Sequence, residues 1–344
     1  MQLLNTLYIT TPDTYLRLDN ETLRVEIERE TRLRVPLHHL TAVVCFGHVS
    51  LSAPLMHRLA ESGQALVLLD DTGRFKARLE GAVSGNVLLR QAQFQQAANP
   101  AFALDMARTF VAGKIKNTRQ VLQRGAREAK NEEEAKLLTR LADNLAASLR
   151  ALPEAASLDI VRGVEGEAAR QYFSGLTLLV RPDQRETFRM DGRNRRPPRD
   201  CINAMLSFLY AMWMNDCRSA LEAAGLDPQV GFLHALRPGR AALALDLMEE
   251  FRPLVVDAVV LSSLNRRAIV PGDFTTEPLS GAVSLTPEGL RTFLKLYELK
   301  KQSKFKHPVL QTQCSYQESF EIQARLLSKY LLQETDKYPP LVLK

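Results

Sequence analysis

The chain has 344 residues, of which 45% are hydrophobic, and its formal net charge at pH 7 is +6. This length can bury a sizeable hydrophobic core and suggests two domains. The positive charge favours a polyanionic partner, although a few exposed lysines could produce the same excess in any enzyme. The four cysteines are widely spaced and form no CxxC pair, so neither a disulfide framework nor a zinc knuckle is expected.

The sequence shows no signal for secretion or membrane insertion. The opening segment MQLLNTLYITTPD lacks the basic region and the long apolar stretch of a signal peptide. No apolar run approaches the roughly 18 residues that a membrane-spanning helix needs. We therefore expect a soluble, cytoplasmic protein with reduced thiols.

Residues 1–90 have the alternation of apolar and polar residues that is typical of β-strands. The segment TYLRLDNETLRVEIE alternates on both sides of DNE, which predicts a hairpin. Two further β-rich runs, LTAVVCFGHVSLS and QALVLLDDTGRFKARL, follow. Between them, Ser52 is predicted to cap a short amphipathic helix that Gly63 ends. Four histidines lie in this half, without acids at ligand-like spacing, and none is expected to be catalytic.

Beyond RQAQFQQAANP the pattern becomes helical, with apolar residues at three- and four-residue steps. Helices are predicted in AFALDMARTFVAGKIKNTRQVLQR, NEEEAKLLTRLADNLAASLRAL, GEAARQYFSGLTLL, DCINAMLSFLYAMWMNDCRSALEAAG and QESFEIQARLLSKYLLQE, and over residues 240–265 and 285–300. The sequence therefore predicts an α+β protein, with a β-rich domain over residues 1–95 and a larger all-α domain over residues 96–344.

The stretch GFLHALRPGRAALALDLMEEFRP contains three acids on one side of a predicted helix, Asp246, Glu249 and Glu250. The simpler interpretation is an amphipathic helix with a hydrated acidic face. Two details count against it. The acids repel one another at i,i+3 and i,i+4 spacing, and Pro253 cannot donate a hydrogen bond to the carbonyl of Glu249. A hydrated face and a metal site both remain open.

Two more residues are candidates for such a site. His234 precedes Glu249 by fifteen residues, but a histidine among apolar neighbours is more often a satisfied core residue than a ligand. Glu165, in VRGVEGEAARQYF, is expected near the start of a helix, where the helix dipole favours an acid. Small residues after it, Ala168 and Ala169, leave room for another element to approach. Spacing alone does not decide between these alternatives.

Three blocks together resemble the CRISPR-associated integrase (endonuclease) family, which inserts new spacers into CRISPR arrays. The blocks are VRGVEGEAARQYF, DCINAMLSFLYAMW and GFLHALRPGRAALALDLMEEFRP, and their order and spacing match the family. FVAGKIKNTRQVLQR looks like the family's first long helix, and the likeness includes the division into a β-rich and a helical part. The opening TPDTYLRLDNETLRVEIE resembles the subtype found with type I-C systems.

The resemblance implies a metal site and its ligands. The family's ligands fall on Glu165, His234 and Glu249, with a supporting role for Asp246, although Asp246 is an alternative to Glu249 as the third direct ligand. Glu250 is expected to be a hydrated neighbour. Two carboxylates and one imidazole suit Mg²⁺ or Mn²⁺, because oxygen-rich sites with open water positions favour hard ions.

The activity that the resemblance implies is phosphoryl transfer on DNA. The 3′-hydroxyl of an incoming fragment would attack a phosphodiester at the end of a CRISPR repeat, while the metal offsets the charge that grows in the transition state. Water in place of the hydroxyl would give nuclease activity. Two alternatives are a non-catalytic DNA-binding scaffold of the same complex and a hydrolase of a small phosphorylated substrate. The sequence gives no support to the second alternative, because it contains no Gly-rich phosphate-binding loop.

Contacts to DNA are expected in the segment RPDQRETFRMDGRNRRPPRD, which has seven arginines. Arginine forks suit phosphates, which makes Arg193, Arg195 and Arg196 candidates, whereas a hydrated loop is the simpler alternative. Arg237 matches a basic position of the family and would contact the scissile phosphate. Further candidates for DNA contacts lie on the predicted helices: Lys114, Arg119, Arg162, Arg170 and Tyr172. Tyr172 would stack on or position DNA, although an aromatic residue at helical spacing is more often part of the core.

The resemblance also implies partners. The β-rich domains would pair two chains into a homodimer, and two such dimers would flank a dimer of the small ferredoxin-like CRISPR-associated protein. Double-stranded DNA would be the substrate, both as protospacer and as CRISPR repeat, and no membrane partner is expected. The C-terminal tail ETDKYPPLVLK would either contact a partner or fray.

Overall fold

The structure, a computed structural model, describes residues 5–82 and 86–343. The chain divides into two compact units, Met1–Gly85 and Asn86–Lys344. The first is rich in β-strands and the second is mostly helical, which confirms the predicted α+β fold. The predicted division at residues 95 and 96 falls inside a helix, Val87–Ala98, that belongs to the second unit. No helix in the described part of the chain is long and apolar enough to cross a membrane.

The first unit contains two four-stranded sheets. One has the order β1-β5-β7-β8, with β1, β5 and β7 parallel and β8 antiparallel to β7. The other has the order β4-β3-β2-β6, with β6 parallel to β2 and the remaining pairs antiparallel. The strands in chain order are β1 (Asn5–Ile9), β2 (Thr14–Asp19), β3 (Thr22–Ile27), β4 (Glu30–Pro36), β5 (Leu40–Phe46), β6 (Val49–Leu51), β7 (Ala65–Leu69) and β8 (Phe75–Leu79).

Two local predictions in this unit are confirmed. The segment TYLRLDNETLRVEIE forms the hairpin β2–β3, in which Asp19 pairs with Thr22 and Asn20 has a positive φ of 53°. Ser52 begins helix α1 (Ala53–Glu61) by accepting a hydrogen bond from the Leu55 N–H. Apolar residues from α1 and from both sheets pack into one core.

Helices make up most of the second unit. In chain order they are α2 (Val87–Ala98), α3 (Pro100–Glu128), α4 (Glu132–Ala151), α5 (Leu158–Leu176), α6 (Pro182–Arg185), α7 (Cys201–Ala223), α8 (Ala242–Phe251), α9 (Ala258–Asn265), α10 (Pro287–Gln302) and α11 (Tyr316–Leu331). Two short hairpins, β9–β10 (Phe274–Thr276 and Val283–Leu285) and β11–β12 (Lys304–Lys306 and Gln313–Ser315), interrupt them. The unit is therefore not all-α as predicted. The hairpins were not predicted because three-residue strands are too short to give a recognisable alternation of apolar and polar residues.

Two helix predictions need correction. Helix α5 begins at Leu158, with Ser157 as its cap, so Glu165 lies in the middle of the helix and away from the positive end of its dipole. The helix predicted over residues 240–265 is interrupted by a π-helical turn at Pro253–Asp257. Because Pro253 has no N–H, the regular bonding pattern fails there, and the Asp257 N–H donates to the carbonyl of Arg252, five residues back, at 3.2 Å.

Helix α3 is the element that brings the chemistry together. It is 29 residues long and contacts α4, α5 and α8. Lys114 and Asn117, which lie one turn apart on α3, are both buried. Glu165 lies on α5 and Glu249 on α8, so α3 contacts both of the helices that carry these acids.

Glu250 is fully buried and anchors the C-terminal tail, which corrects its expected place as a hydrated neighbour. Its carboxylate accepts hydrogen bonds from the Tyr338 hydroxyl, from the Leu341 N–H at 2.5 Å and from the Gln323 side-chain amide at 2.8 Å. Asn117 donates to the carbonyls of Glu250 (2.8 Å) and Leu341 (2.7 Å). The tail therefore does not fray but packs between α3 and α8 of its own chain.

The stability of this unit is expected to fall with rising pH through Glu250. Burial raises the pKa of Glu250 from 4.5 to about 7, in spite of the hydrogen bonds that favour its charged form. A raised folded-state pKa gives stability that is full below the unfolded pKa and is lost as the pH rises through the folded one. Between about pH 5 and pH 8, we expect the unfolding free energy of the native chain to fall by about 2 to 3 kcal/mol more than that of Glu250→Gln.

Guanidinium unfolding curves of both proteins across this pH range measure the difference. Glu167→Gln, at an exposed position of α5, is the matched control and should keep the native pH profile. Parallel profiles for the native chain and Glu250→Gln would contradict this assignment.

Candidate active site

Lys114, Glu165 and Glu249 meet where α3, α5 and α8 converge. The Lys114 ammonium donates a hydrogen bond to Glu165 Oε1 and lies 2.7 Å from Glu249 Oε2. The side chains of Lys114 and Glu249 are 8% and 2% exposed, so water screens this cluster little. Charges buried to this degree persist only when opposite charges compensate for the lost hydration. The lysine and the two carboxylates thus depend on one another.

Arg252 holds the second oxygen of Glu249. Its guanidinium Nη2 lies 2.7 Å from Glu249 Oε1. Burial by itself would raise the pKa of Glu249, but the charges of Arg252 and Lys114, with a smaller effect of His234, lower it to about 2. Glu249 is therefore ionised at neutral pH, in the state that a cation-binding carboxylate requires.

Asp246 organises the segment that carries His234. Its carboxylate accepts backbone hydrogen bonds from Phe232 (2.6 Å), Leu233 (3.0 Å) and His234 (3.0 Å), and it lies 2.7 Å from His234 Nδ1. This hydrogen-bond pattern assigns a proton to Nδ1 and leaves Nε2 of the neutral ring with a free lone pair. In that tautomer an imidazole can bind a metal through Nε2, and a carboxylate on the other nitrogen fixes the orientation of the ring.

Gly231 makes the approach of this segment to α8 possible. A Cβ at this position would lie 2.6 Å from Asp246 Oδ2 and 2.7 Å from backbone atoms of Ala242 and Leu243. No other residue fits between the segment and the helix. The glycine is therefore a structural requirement for the Asp246–His234 pair.

The three acids of α8 have three different environments, which excludes the hydrated acidic face. Asp246, Glu249 and Glu250 are 0%, 2% and 0% exposed. Asp246 faces the segment before the helix, Glu249 faces Lys114 and Arg252, and Glu250 faces the tail. The repulsion that their spacing implies is offset by separate partners for each.

The donor set fits a divalent cation, although the side chains are not arranged as a finished metal site. Within residues 5–82 and 86–343, no group of three Asp, Glu, His or Cys side chains is placed to hold a metal ion. The Lys114 ammonium occupies the space between Glu165 and Glu249. Two carboxylates that already converge on one cation, together with an imidazole whose free nitrogen is available, are nevertheless ligands that hard ions accept.

A second buried network lies behind Glu249. The Arg252 guanidinium is 4.5 Å from the ring centroid of Tyr210, and the Tyr210 hydroxyl donates to Asp257 Oδ1 at 2.7 Å. Burial raises the pKa of Asp257 and of Tyr210. This network was not predicted from the sequence. The available signal was the lone acid in the apolar run LVVDAVVLSSL, where an unpaired charge would be costly.

The structure separates the candidate DNA-binding residues near the site by exposure. Arg237 is exposed, and Arg170 is exposed and paired with Glu167. Arg162 donates to the carbonyl of Leu233 at 2.8 Å, which ties α5 to the segment that carries His234. Tyr172 is 3% exposed and cannot stack on a base, which corrects that expectation.

The arginine-rich segment is held by buried contacts and is not a freely hydrated loop. Arg193 donates to Asn203 Oδ1 at 2.6 Å and to Ser207 Oγ at 3.1 Å, and burial lowers its pKa to about 10. Arg195 and Arg196 remain exposed. Arg119, on α3, donates to the carbonyl of Ala142 at 3.2 Å and so joins α3 to α4. Arg195 and Arg196 are therefore the accessible pair among these four.

Comparisons with known proteins identify the family. Residues 7–299 match the model of the family described as CRISPR associated protein Cas1. The CRISPR-associated endonuclease Cas1 1 of Moorella thermoacetica is 48% identical over 342 residues, which are 99% of each chain.

Two solved structures share the fold. A CAS1 protein from Thermotoga maritima has a TM-score of 0.82 at 24% identity, with 95% of this chain and 97% of that chain covered. A casposase bound to its integration product has a TM-score of 0.85 at 20% identity, with 99% and 95% covered. Since the family model spans most of the sequence and a relative is 48% identical from end to end, the chain belongs to the Cas1 family of CRISPR-associated proteins.

Proposed function

We propose that this chain is a metal-dependent DNA endonuclease and integrase that inserts short DNA fragments into CRISPR arrays. The observation that carries the proposal is the convergence of Glu165 and Glu249 on one cation, beside a histidine whose tautomer Asp246 sets. The names of similar proteins support it, since one is a CRISPR-associated endonuclease and another is a casposase solved with its integration product.

The proposed metal ligands are Glu165, His234 and Glu249, with Mg²⁺ or Mn²⁺ as the ion. When bound, the ion would polarise a phosphate oxygen and offset the charge of the transition state. Asp246 is proposed as a positioning residue and not as a ligand. Its two oxygens already accept three backbone N–H groups and face the His234 ring, so they have no remaining direction for a metal.

Basic residues beside His234 support a role in binding a phosphodiester. Burial lowers the pKa of Arg240, and the nearby charges of Arg237 and Arg162 lower it further. The guanidinium groups of Arg237 and Arg162 therefore each lie close enough to Arg240 to repel it. A bound DNA phosphate would relieve this repulsion, because arginine forks bind phosphate oxygens in pairs.

The proposed reaction is a transesterification. The 3′-hydroxyl of the incoming fragment attacks the phosphorus of a repeat phosphodiester and gives up its proton, so that a new P–O bond forms. The bond between the phosphorus and the 3′-oxygen of the repeat breaks, and that oxygen takes up a proton. With water as the nucleophile, the same displacement hydrolyses DNA. The nearby arginines hold the phosphate, and Asp246 keeps the His234 ring in one orientation throughout.

We also propose the assembly that the family resemblance implies. The β-rich unit would form a homodimer, and two dimers would flank a dimer of the small ferredoxin-like CRISPR-associated protein. The opening segment TPDTYLRLDNETLRVEIE supports the type I-C subtype. Integration would take place in the cytoplasm, where the CRISPR array lies.

Loss of either carboxylate is expected to abolish integration. Glu165→Gln and Glu249→Gln keep the side-chain shape but remove a charge, so we expect at least about a 100-fold loss of metal-dependent strand transfer, since each removes a direct ligand. The measurement joins a labelled DNA duplex to a plasmid that carries a CRISPR repeat, in Mg²⁺ or Mn²⁺, with the small partner protein present.

Glu167→Gln, two residues from Glu165 on the same helix, is the matched control and should retain strand transfer. Melting curves and DNA binding check that the variants are folded. Strand transfer that survives both changes would contradict the proposed ligands, and a native chain that binds DNA without metal-dependent chemistry would favour a scaffold.

Asp246→Asn is expected to weaken the metal site through His234. An amide in place of the carboxylate presents an N–H₂ group to Nδ1 or to the backbone N–H groups, so the tautomer and the segment 231–234 are no longer fixed. We expect about a 10- to 100-fold loss of Mn²⁺ affinity, measured by calorimetry. Asp159→Asn, at an exposed position of α5, is the control. Native affinity in Asp246→Asn would contradict the positioning role.

The two exposed arginines of the arginine-rich segment are expected to contribute charge to DNA binding. The double change Arg195→Ala/Arg196→Ala should reduce the slope of log K against log salt by about 2, because two phosphate contacts are lost. The melting temperature should not change. Arg193→Ala should instead lower the melting temperature, since it removes buried hydrogen bonds to Asn203 and Ser207. An unchanged salt slope in the double variant would contradict the assignment.

A further inference from the structure

Lys114 contacts one pair of acceptors and lines a cavity that contains a second pair. On one side its ammonium contacts Glu165 and Glu249. On the other side it lines an internal cavity of about 10 Å³, whose walls also include Tyr172, Arg252 and Asp257. A cavity of this volume accommodates about one water-sized group, and an ammonium group is of that size.

The cavity presents polar atoms that are poorly paired. Among the described residues, neither Tyr172 Oη nor Asp257 Oδ2 makes a hydrogen bond of ordinary length and angle, although both are buried. Buried polar groups are normally paired. Burial raises the pKa of Asp257, and Lys114 is among the charges that oppose this effect, so the ammonium already acts on this carboxyl.

We propose that Lys114 has two positions: its ammonium joins Glu165 to Glu249 in the metal-free protein and moves to Asp257 and Tyr172 when a divalent cation takes the two carboxylates. The inference rests on the proposed metal site. It adds a residue that competes with the metal and a second place for that residue in the same pocket. Lys114 is thus a positioning residue and not a ligand.

Charge repulsion favours such an exchange. An ammonium and a divalent cation carry charge of the same sign and repel each other when both contact the same two carboxylates. The Lys114 side chain is only 8% exposed, so an ammonium displaced without a new partner would be a buried, unpaired charge. Asp257 Oδ2 and Tyr172 Oη, which interact with each other but make no hydrogen bond of ordinary length and angle, lie on the wall of the cavity that Lys114 itself lines and can accept from an ammonium.

The exchange also accounts for the stability of the metal-free site. Glu165 and Glu249 are balanced by Lys114 and Arg252, so the carboxylates stay together and ionised before a metal arrives. Metal binding then adds two positive charges while retaining the lysine nearby. The loaded pocket is therefore more attractive to a DNA phosphate than the metal-free one.

A double-mutant cycle on Mn²⁺ affinity tests the inference, using calorimetry on the full chain after removal of metals. Lys114→Met should bind Mn²⁺ about tenfold more tightly, because the competing ammonium is gone. Tyr172→Phe should bind it about three- to tenfold more weakly, because the second position loses a hydrogen bond to a charged group. In the Lys114→Met background, Tyr172→Phe should change the affinity by less than about twofold.

The melting temperature of the metal-free protein is the second readout. Lys114→Met should lower it, because the two carboxylates lose their shared cation, and Mn²⁺ should restore it. Tyr172→Phe should leave it unchanged or raise it, since the hydroxyl makes no hydrogen bond of ordinary length and angle in that state. Lys116→Met, at an exposed position of α3, is the matched control and should alter neither readout.

An equal effect of Tyr172→Phe in both backgrounds would overturn the second position, and equal Mn²⁺ affinity of Lys114→Met and the native chain would overturn the competition. If Lys114→Met does not fold, Tyr172→Phe alone decides, through weaker Mn²⁺ binding at an undiminished metal-free melting temperature. Failure of the metal site itself is distinguishable, because Glu165→Gln and Glu249→Gln would then bind Mn²⁺ as tightly as the native chain.

Discussion

The burial of an ionised Glu249 is the constraint on which the rest of the helical unit depends. A carboxylate that is 2% exposed must have cations at contact distance, and here they are Lys114 and Arg252. The contact with Lys114 joins α3 to α8. Arg252 follows α8 directly and precedes the π-helical turn that begins with Pro253. Glu165 joins through the same lysine, so three helices are held by one group of charges.

The three acids of α8 have different partners because successive positions point in different directions around the helix. Asp246 arranges the preceding segment and its histidine, Glu249 faces the cation, and Glu250 holds the tail. The tail in turn binds Asn117, one turn from Lys114 on α3. Helices α3 and α8 are therefore joined by contacts with the C-terminal tail, which links the stability of the tail to the geometry of the candidate site.

The charges that are left outside this network suit DNA. Arg195, Arg196 and Arg237 are exposed, whereas Arg193 donates hydrogen bonds to α7 and so holds its segment against that helix. A buried arginine holds the segment in place through hydrogen bonds, and the exposed arginines are available to phosphates. This division explains why a segment with seven arginines need not be a free loop.

The sequence by itself determined the fold class, the hairpin β2–β3, most helices and the residues that resemble the family's metal ligands, because periodicity, caps and motif order are local properties. The predictions that Glu165 lies at a helix start, that Glu250 is hydrated and that Tyr172 contacts DNA were wrong. The hydrogen bond between Tyr210 and Asp257 was not predicted. Burial and partners come from residues far apart in the chain: Glu250 meets Leu341, and Lys114 meets Glu165 and Glu249. Only the tertiary structure decided which acids face a cation, a backbone or a tail, since a helical wheel gives the direction of a side chain but not what lies there.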